Sequence, residues 1–136
     1  MVKLCQKVLI LIVLGLWFIA CGDNIGERTL AESSETLDGQ ALFESNGCLG
    51  CHAIEANAGY KAGPSMVGLI ERAAQIIADP NYSGEAETVK TYIEEAILKP
   101  NIYVNEGYEP LMPTTYETTL NAVQIEAITN YLLILP

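Results

Sequence analysis

Cys48-Leu49-Gly50-Cys51-His52 puts two thiols and an imidazole within five consecutive residues, and three chemistries use thiols at that spacing. A thioredoxin-like dithiol needs a βαβ context, and no strand pattern occurs in this chain. A structural zinc site needs two further ligands, yet His52 is the single histidine and no second cysteine pair exists. The third chemistry is covalent haem attachment through C-x-x-C-H. Each thiol adds to a vinyl group on one edge of the porphyrin, and the next residue is left under the iron. Cys48 and Cys51 are therefore expected to hold one haem c through two thioethers, with His52 as its proximal ligand.

With the only histidine in use, a sixth ligand must come from another residue type, and methionine is the usual one in electron-carrying haem proteins. Beyond Met1 the chain has Met66 and Met112. Met66 closely follows Pro64 and lies at apolar spacing with Leu69, so it reads as packing against the haem face. Met112, in Leu111-Met112-Pro113 about 60 residues after His52, sits in a Pro-rich loop and is the expected second axial ligand.

The elements that must position these groups read as an all-α fold of about four helices around one haem. Residues 37–46 have helical spacing and end at Gly47. Residues 59–69, with three glycines and a proline, read as an irregular loop. Residues 70–78 allow one or two helical turns before Asp79-Pro80. Residues 83–99 read as a helix with Val89, Tyr92, Ile93, Ala96 and Ile97 on one face, stopped by Pro100. Residues 101–119 are broken by Gly107, Pro110 and Pro113, and a loop that long in a small domain usually serves a function. The last helix is expected to start at Asn121 with Gln124 completing a capping box, and to bury Ile125, Ile128, Leu132 and Leu135.

The first 20 residues stand apart. Lys3 and Lys7 precede an uncharged apolar run from Val8 to Ala20, the pattern of an exported signal peptide and too short for a membrane span. Trp17-Phe18-Ile19-Ala20-Cys21 resembles the lipobox of bacterial lipoproteins, which makes Cys21 the lipidated first residue; the plainer alternative is an ordinary cysteine in an uncleaved anchor. Residues 21–36, polar and acidic, read as a flexible tether, and 37–136 as the single folded domain. The expected location is thus a lipid-anchored position facing the periplasm or cell exterior. With Cys5 in the signal and Cys21 lipidated, no disulfide is required.

The whole chain has 7 Lys and Arg against 17 Asp and Glu, a net charge of −10. Removing residues 1–20 leaves 5 basic residues against 17 acidic, a balance of −12. Such a surface repels nucleic acid and phospholipid headgroups. Redox protein partners, both electron donor and electron acceptor, are expected to offer a basic docking patch.

Taken together, the motifs resemble those of a class I c-type cytochrome, most nearly the haem domain of terminal oxidase subunit II. The resemblance spans about residues 37–135. It rests on Gly39-x-x-Leu42-Phe43, Cys48 to His52, Gly63-Pro64-Ser65-Met66, Gly68-Leu69, Arg72, Tyr92-Ile93-x-x-Ala96-Ile97-x-x-Pro100, Gly107-Tyr108, Met112-Pro113 and Ile128-x-x-Tyr131-Leu132.

It implies that the Pro64 carbonyl accepts a hydrogen bond from the proximal histidine and that Arg72 lies near a haem propionate. A turn proline and a surface arginine are the plainer readings of those two residues. It also implies that Gly39 and Phe43 pack against Ile128 and Tyr131. The function implied is one-electron transfer in a respiratory chain rather than catalysis, between a donor such as a quinol-oxidising complex and an acceptor such as a terminal oxidase or reductase. The copper domain and transmembrane hairpin of the oxidase subunit have no counterpart here, which implies a lone cytochrome. Two other readings stay open: a peroxidase-like enzyme or sensor whose Met112 dissociates, and a fixed electron-transfer subunit of a larger complex.

Overall fold

The structure, a computed structural model, describes residues 37–136; the expected signal peptide, tether and lipidated Cys21 lie outside the described residues. Asp38 opens the first helix, its carboxylate accepting from the amides of Gln40 and Ala41 at 3.0 and 3.1 Å. These are two of the amides a helix start leaves without partners. Helix α1 then runs Gly39–Ser45 and α2 is the single turn Cys48–Cys51. Next come α3 (Leu69–Ala78), α4 (Val89–Leu98), the single turn α5 (Tyr116–Thr119) and α6 (Ala122–Leu133). Among the described residues there is no strand, and the four longer helices match the expected number.

Helix α1 packs chiefly on α6, and Gly39 permits the approach. A Cβ there would lie 2.0 Å from the Ala127 carbonyl oxygen and 2.8 Å from the Tyr131 Cβ. Any side chain would force the helices apart, which accounts for a glycine at the first position of α1. One turn on, Phe43 is buried against Tyr131, with ring centroids 5.8 Å apart, as the resemblance implies. Helix α6 begins as expected, with Asn121 and Gln124 capping each other's amides at 3.0 Å. Ile125, Ile128, Thr129 and Leu132 face inward. Leu135 lies past the helix end and is only partly buried, so the buried stripe stops at Leu132.

Helices α3, α4 and α6 pack on one another. The spacing of Leu69, Ala73 and Ile76 gives α3 a continuous buried face, and ten residues make it longer than the one or two turns expected. Helix α4 starts at Val89 rather than Ser83. Thr88 and Thr91 close a reciprocal cap there, and the segment before it is held in another way. The Glu95 carboxylate accepts from the Glu85 amide at 2.9 Å and from the Tyr82 hydroxyl, pinning residues 82–85 across the helix. Tyr82 in turn packs on Tyr92 and Tyr103, with centroids at 6.0 and 5.5 Å. One carboxylate on α4 thus replaces the helical bonding that the apolar periodicity alone suggests.

Candidate functional site

Helix α2 is short because it is a presentation turn. The His52 amide closes it on the Cys48 carbonyl at 2.9 Å, after which the backbone at His52 is extended. Both thiols are free, Cys48 half-buried and Cys51 exposed. Burial pushes the Cys48 thiol pKa up, opposed in part by its own backbone and the nearby Tyr116 hydroxyl.

The loop expected over 59–69 runs back alongside this turn. The Gly63 amide donates to the Cys51 carbonyl at 2.9 Å, the Met66 amide to the Ala53 carbonyl at 2.7 Å, and the Lys61 ammonium to the Leu49 carbonyl. These bonds fix Pro64 so that its carbonyl oxygen stands 2.7 Å from His52 Nδ1. A carbonyl can only accept, so Nδ1 carries the proton and Nε2 keeps its lone pair. Burial pushes the His52 pKa down; the Pro64 carbonyl works against this, while the positive charges of Lys61 and Arg72 add to it. The imidazole is therefore neutral near pH 7, the state in which it can ligate a metal. Gly63 gives the ring its room: a Cβ there would sit 2.6 Å from His52 Cε1.

Around this turn lies a cavity of about 320 Å³. Its wall includes every expected site residue of the domain: Cys48, Cys51, His52, Pro64, Arg72 and Met112. The remainder is largely apolar, with Leu69, Ile97, Ile128 and Leu132 drawn from three helices. Met66 also reaches the wall but is 8% exposed and packed in the core, as expected of a packing residue. Met112 is half-buried in the 101–115 loop.

Arg72 donates to the Val67 carbonyl at 3.3 Å and to the Ser65 carbonyl, and no carboxylate pairs with it among the described residues. It faces both this cavity and a second, more polar one bounded by Gln75, Asp79 and Asn105.

Two aromatic wall residues escape the sequence reading. Tyr103 links the cavity to the Tyr82 cluster. Tyr116, on the unforeseen turn α5, donates to the Asn46 carbonyl at 3.0 Å and ties that turn to the junction of α1 and α2. Tyrosines in a Pro-rich loop were the available signal, but spacing in a loop has no period from which to infer a face.

A mostly apolar chamber with two free thiols and a neutral imidazole at one wall fits a flat macrocycle anchored along one edge. The family model described as Cytochrome c matches residues 37–136. The cytochrome c of Nigella damascena is 28% identical over 80 residues, which cover 59% of this chain and 71% of that protein. The wall geometry and the family match converge: haem c is bound covalently through the Cys48-x-x-Cys51-His52 segment, and the chain belongs to the cytochrome c family.

Proposed function

We propose that this protein is a one-electron carrier of a periplasmic or cell-surface respiratory chain, its haem held axially by His52 and Met112. The observation that carries the reading is a single cavity walled both by a neutral, hydrogen-bonded imidazole and by a methionine from a separate loop. Haem c supplies reversible one-electron chemistry when bound.

The residues determine how that chemistry is used. His52 offers Nε2 while Pro64 holds the opposite nitrogen, which fixes the ring and strengthens it as a donor. Met66 shares a segment with Pro64 and is buried in the core, whereas Met112 is half-buried on a separate loop, which supports Met112 as the ligating sulfur. Ligation by both His52 and Met112 would leave no open position for a substrate, and so would favour electron transfer over catalysis. The apolar wall keeps water from the centre, and with a Met/His pair this raises the reduction potential. Arg72, which pairs with no carboxylate among the described residues, is suited to pair with a propionate.

The proposed setting is a membrane surface facing the periplasm or cell exterior. Cys21 is the lipid attachment point, and residues 21–36 hold the domain at a membrane surface. Donor and acceptor are redox proteins with basic docking patches, since the domain carries 13 Asp and Glu against 4 Lys and Arg between residues 37 and 136. Carbon monoxide separates the carrier from a haem enzyme or sensor. The reduced holoprotein is expected not to bind it at neutral pH, whereas ready binding would mean that Met112 leaves the iron and that the enzyme or sensor reading is the right one.

A further inference from the structure

The cavity has a mouth, and its two lips come from different segments. One is the 53–68 loop that carries Pro64; the other is the 101–115 loop that carries Met112. Tyr60 of the first stacks on Tyr108 of the second, with ring centroids 6.0 Å apart and planes within 8°. Tyr108 also forms part of the cavity wall, so the stack joins the haem chamber to the surface. Tyr60 itself is 82% exposed. Tyr108 lies alongside it at an offset, and most of the Tyr60 ring is open to solvent. Leu111, 66% exposed and also part of the wall, extends the apolar patch along the same lip.

A packing role explains Tyr60 poorly, because a side chain so exposed buries little surface. The charges around it give a better account. Tyr108 is flanked by Glu106 and Glu109, both exposed, and Glu55 is exposed on the other lip. The two lips together hold one cation, Lys61, and its ammonium is engaged by the Leu49 carbonyl. An aromatic face is itself negative at its centre and attracts cations. An exposed ring stacked on a tyrosine that two exposed glutamates flank in sequence is thus suited to a planar or compact cation presented by another surface.

We propose that the Tyr60–Tyr108 stack is the contact centre of a docking face for a basic redox protein, with an arginine or lysine of that partner seated on the exposed ring of Tyr60. This inference rests on the carrier reading. The acidic rim steers the encounter over a distance set by salt screening. The stacked pair then gives the partner van der Waals contact with a ring that reaches the haem chamber.

The test uses the reduced holoprotein and two small oxidants of opposite charge. Tris(phenanthroline)cobalt(III) is cationic with aromatic faces, and ferricyanide is anionic. Oxidation by the cobalt complex is expected to slow as salt rises. Tyr60→Ala is expected to slow it about two- to five-fold, the change matching the 0.5–1 kcal/mol of an exposed cation–π contact. Tyr60→Phe, which keeps the ring, should react at the wild-type rate, and the ferricyanide rate should not fall in either variant.

Line broadening by tris(ethylenediamine)chromium(III) in the ¹⁵N spectrum locates the cation without any variant. It is expected first at the amides of residues 58–61 and 106–109. Broadening centred elsewhere, or a cobalt rate indifferent to Tyr60→Ala, would overturn the docking proposal while ferricyanide oxidation left the carrier reading intact. If neither complex oxidises the protein, the carrier reading falls and the docking face falls with it.

Discussion

His52 shows how much of the site depends on groups with no chemistry of their own. Its ring is oriented by a backbone carbonyl, and that carbonyl is positioned by hydrogen bonds from the amides of Gly63 and Met66 to the carbonyls of Cys51 and Ala53. The weak point is Gly63, whose absent side chain is the space the imidazole occupies. Gly63→Ala places a methyl group 2.6 Å from Cε1, so either the ring tilts or the loop withdraws. Overpacking of this kind costs about 1–3 kcal/mol, readable as a lower denaturant midpoint of the holoprotein. A stretched bond to Pro64 also makes Nε2 a poorer donor, which favours the ferrous state. The reduction potential should therefore rise in a potentiometric titration; an unchanged potential would show that Pro64 does not tune the ligand.

At the level of elements, the contact of α1 with α6 and the clasp in front of α4 are both open to direct test. Gly39→Ala drives a methyl into the Ala127 carbonyl, and because backbone cannot yield as a flexible side chain does, a loss of about 1–3 kcal/mol is expected in thermal or denaturant unfolding. The clasp has a pH signature. Burial raises the Glu95 pKa, but the bonds from the Tyr82 hydroxyl and the amides of Glu85 and Ala86 outweigh it and leave it lowered. A carboxyl lowered on folding stabilises the protein above its unfolded pKa, and that stability is lost as pH falls through the folded value. Tyr82 is pushed up to about 12 by burial and by Glu95, so its contribution is present below its ordinary value near 10 and is lost as pH rises towards 12. Glu95→Gln should flatten the acid limb of the stability profile, and identical acid limbs in the two proteins would contradict the clasp.

The same region marks where sequence reasoning stops. The caps of α6 were legible because they obey local rules of spacing, and the close packing at Gly39 was legible only through the family resemblance. The late start of α4 was not, because the contact from Glu95 back to residues 82–85 spans ten or more positions and leaves no periodic trace. The turn α5 was hidden for a similar reason, being fixed by the Tyr116 bond to Asn46 across 70 residues. Of the site, the haem-attachment segment was readable from chemistry, whereas the tyrosines that complete the wall depend on how the loops fold back.

At the scale of the whole molecule, a small acidic domain, a covalently anchored haem c and ligation by both His52 and Met112 would make a carrier with no open coordination position. Ligation by Met112 is the central claim, since that separates a carrier from a haem enzyme. The most direct measurement is the optical spectrum of the oxidised and reduced holoprotein, matured with covalent haem, alongside Met112→Ala and Met66→Leu. The account predicts a low-spin c-type spectrum in the wild type, with the weak methionine-to-iron band near the red edge when oxidised. That band should survive in Met66→Leu and vanish in Met112→Ala. A high-spin wild type, or a band lost with Met66 rather than Met112, would contradict it.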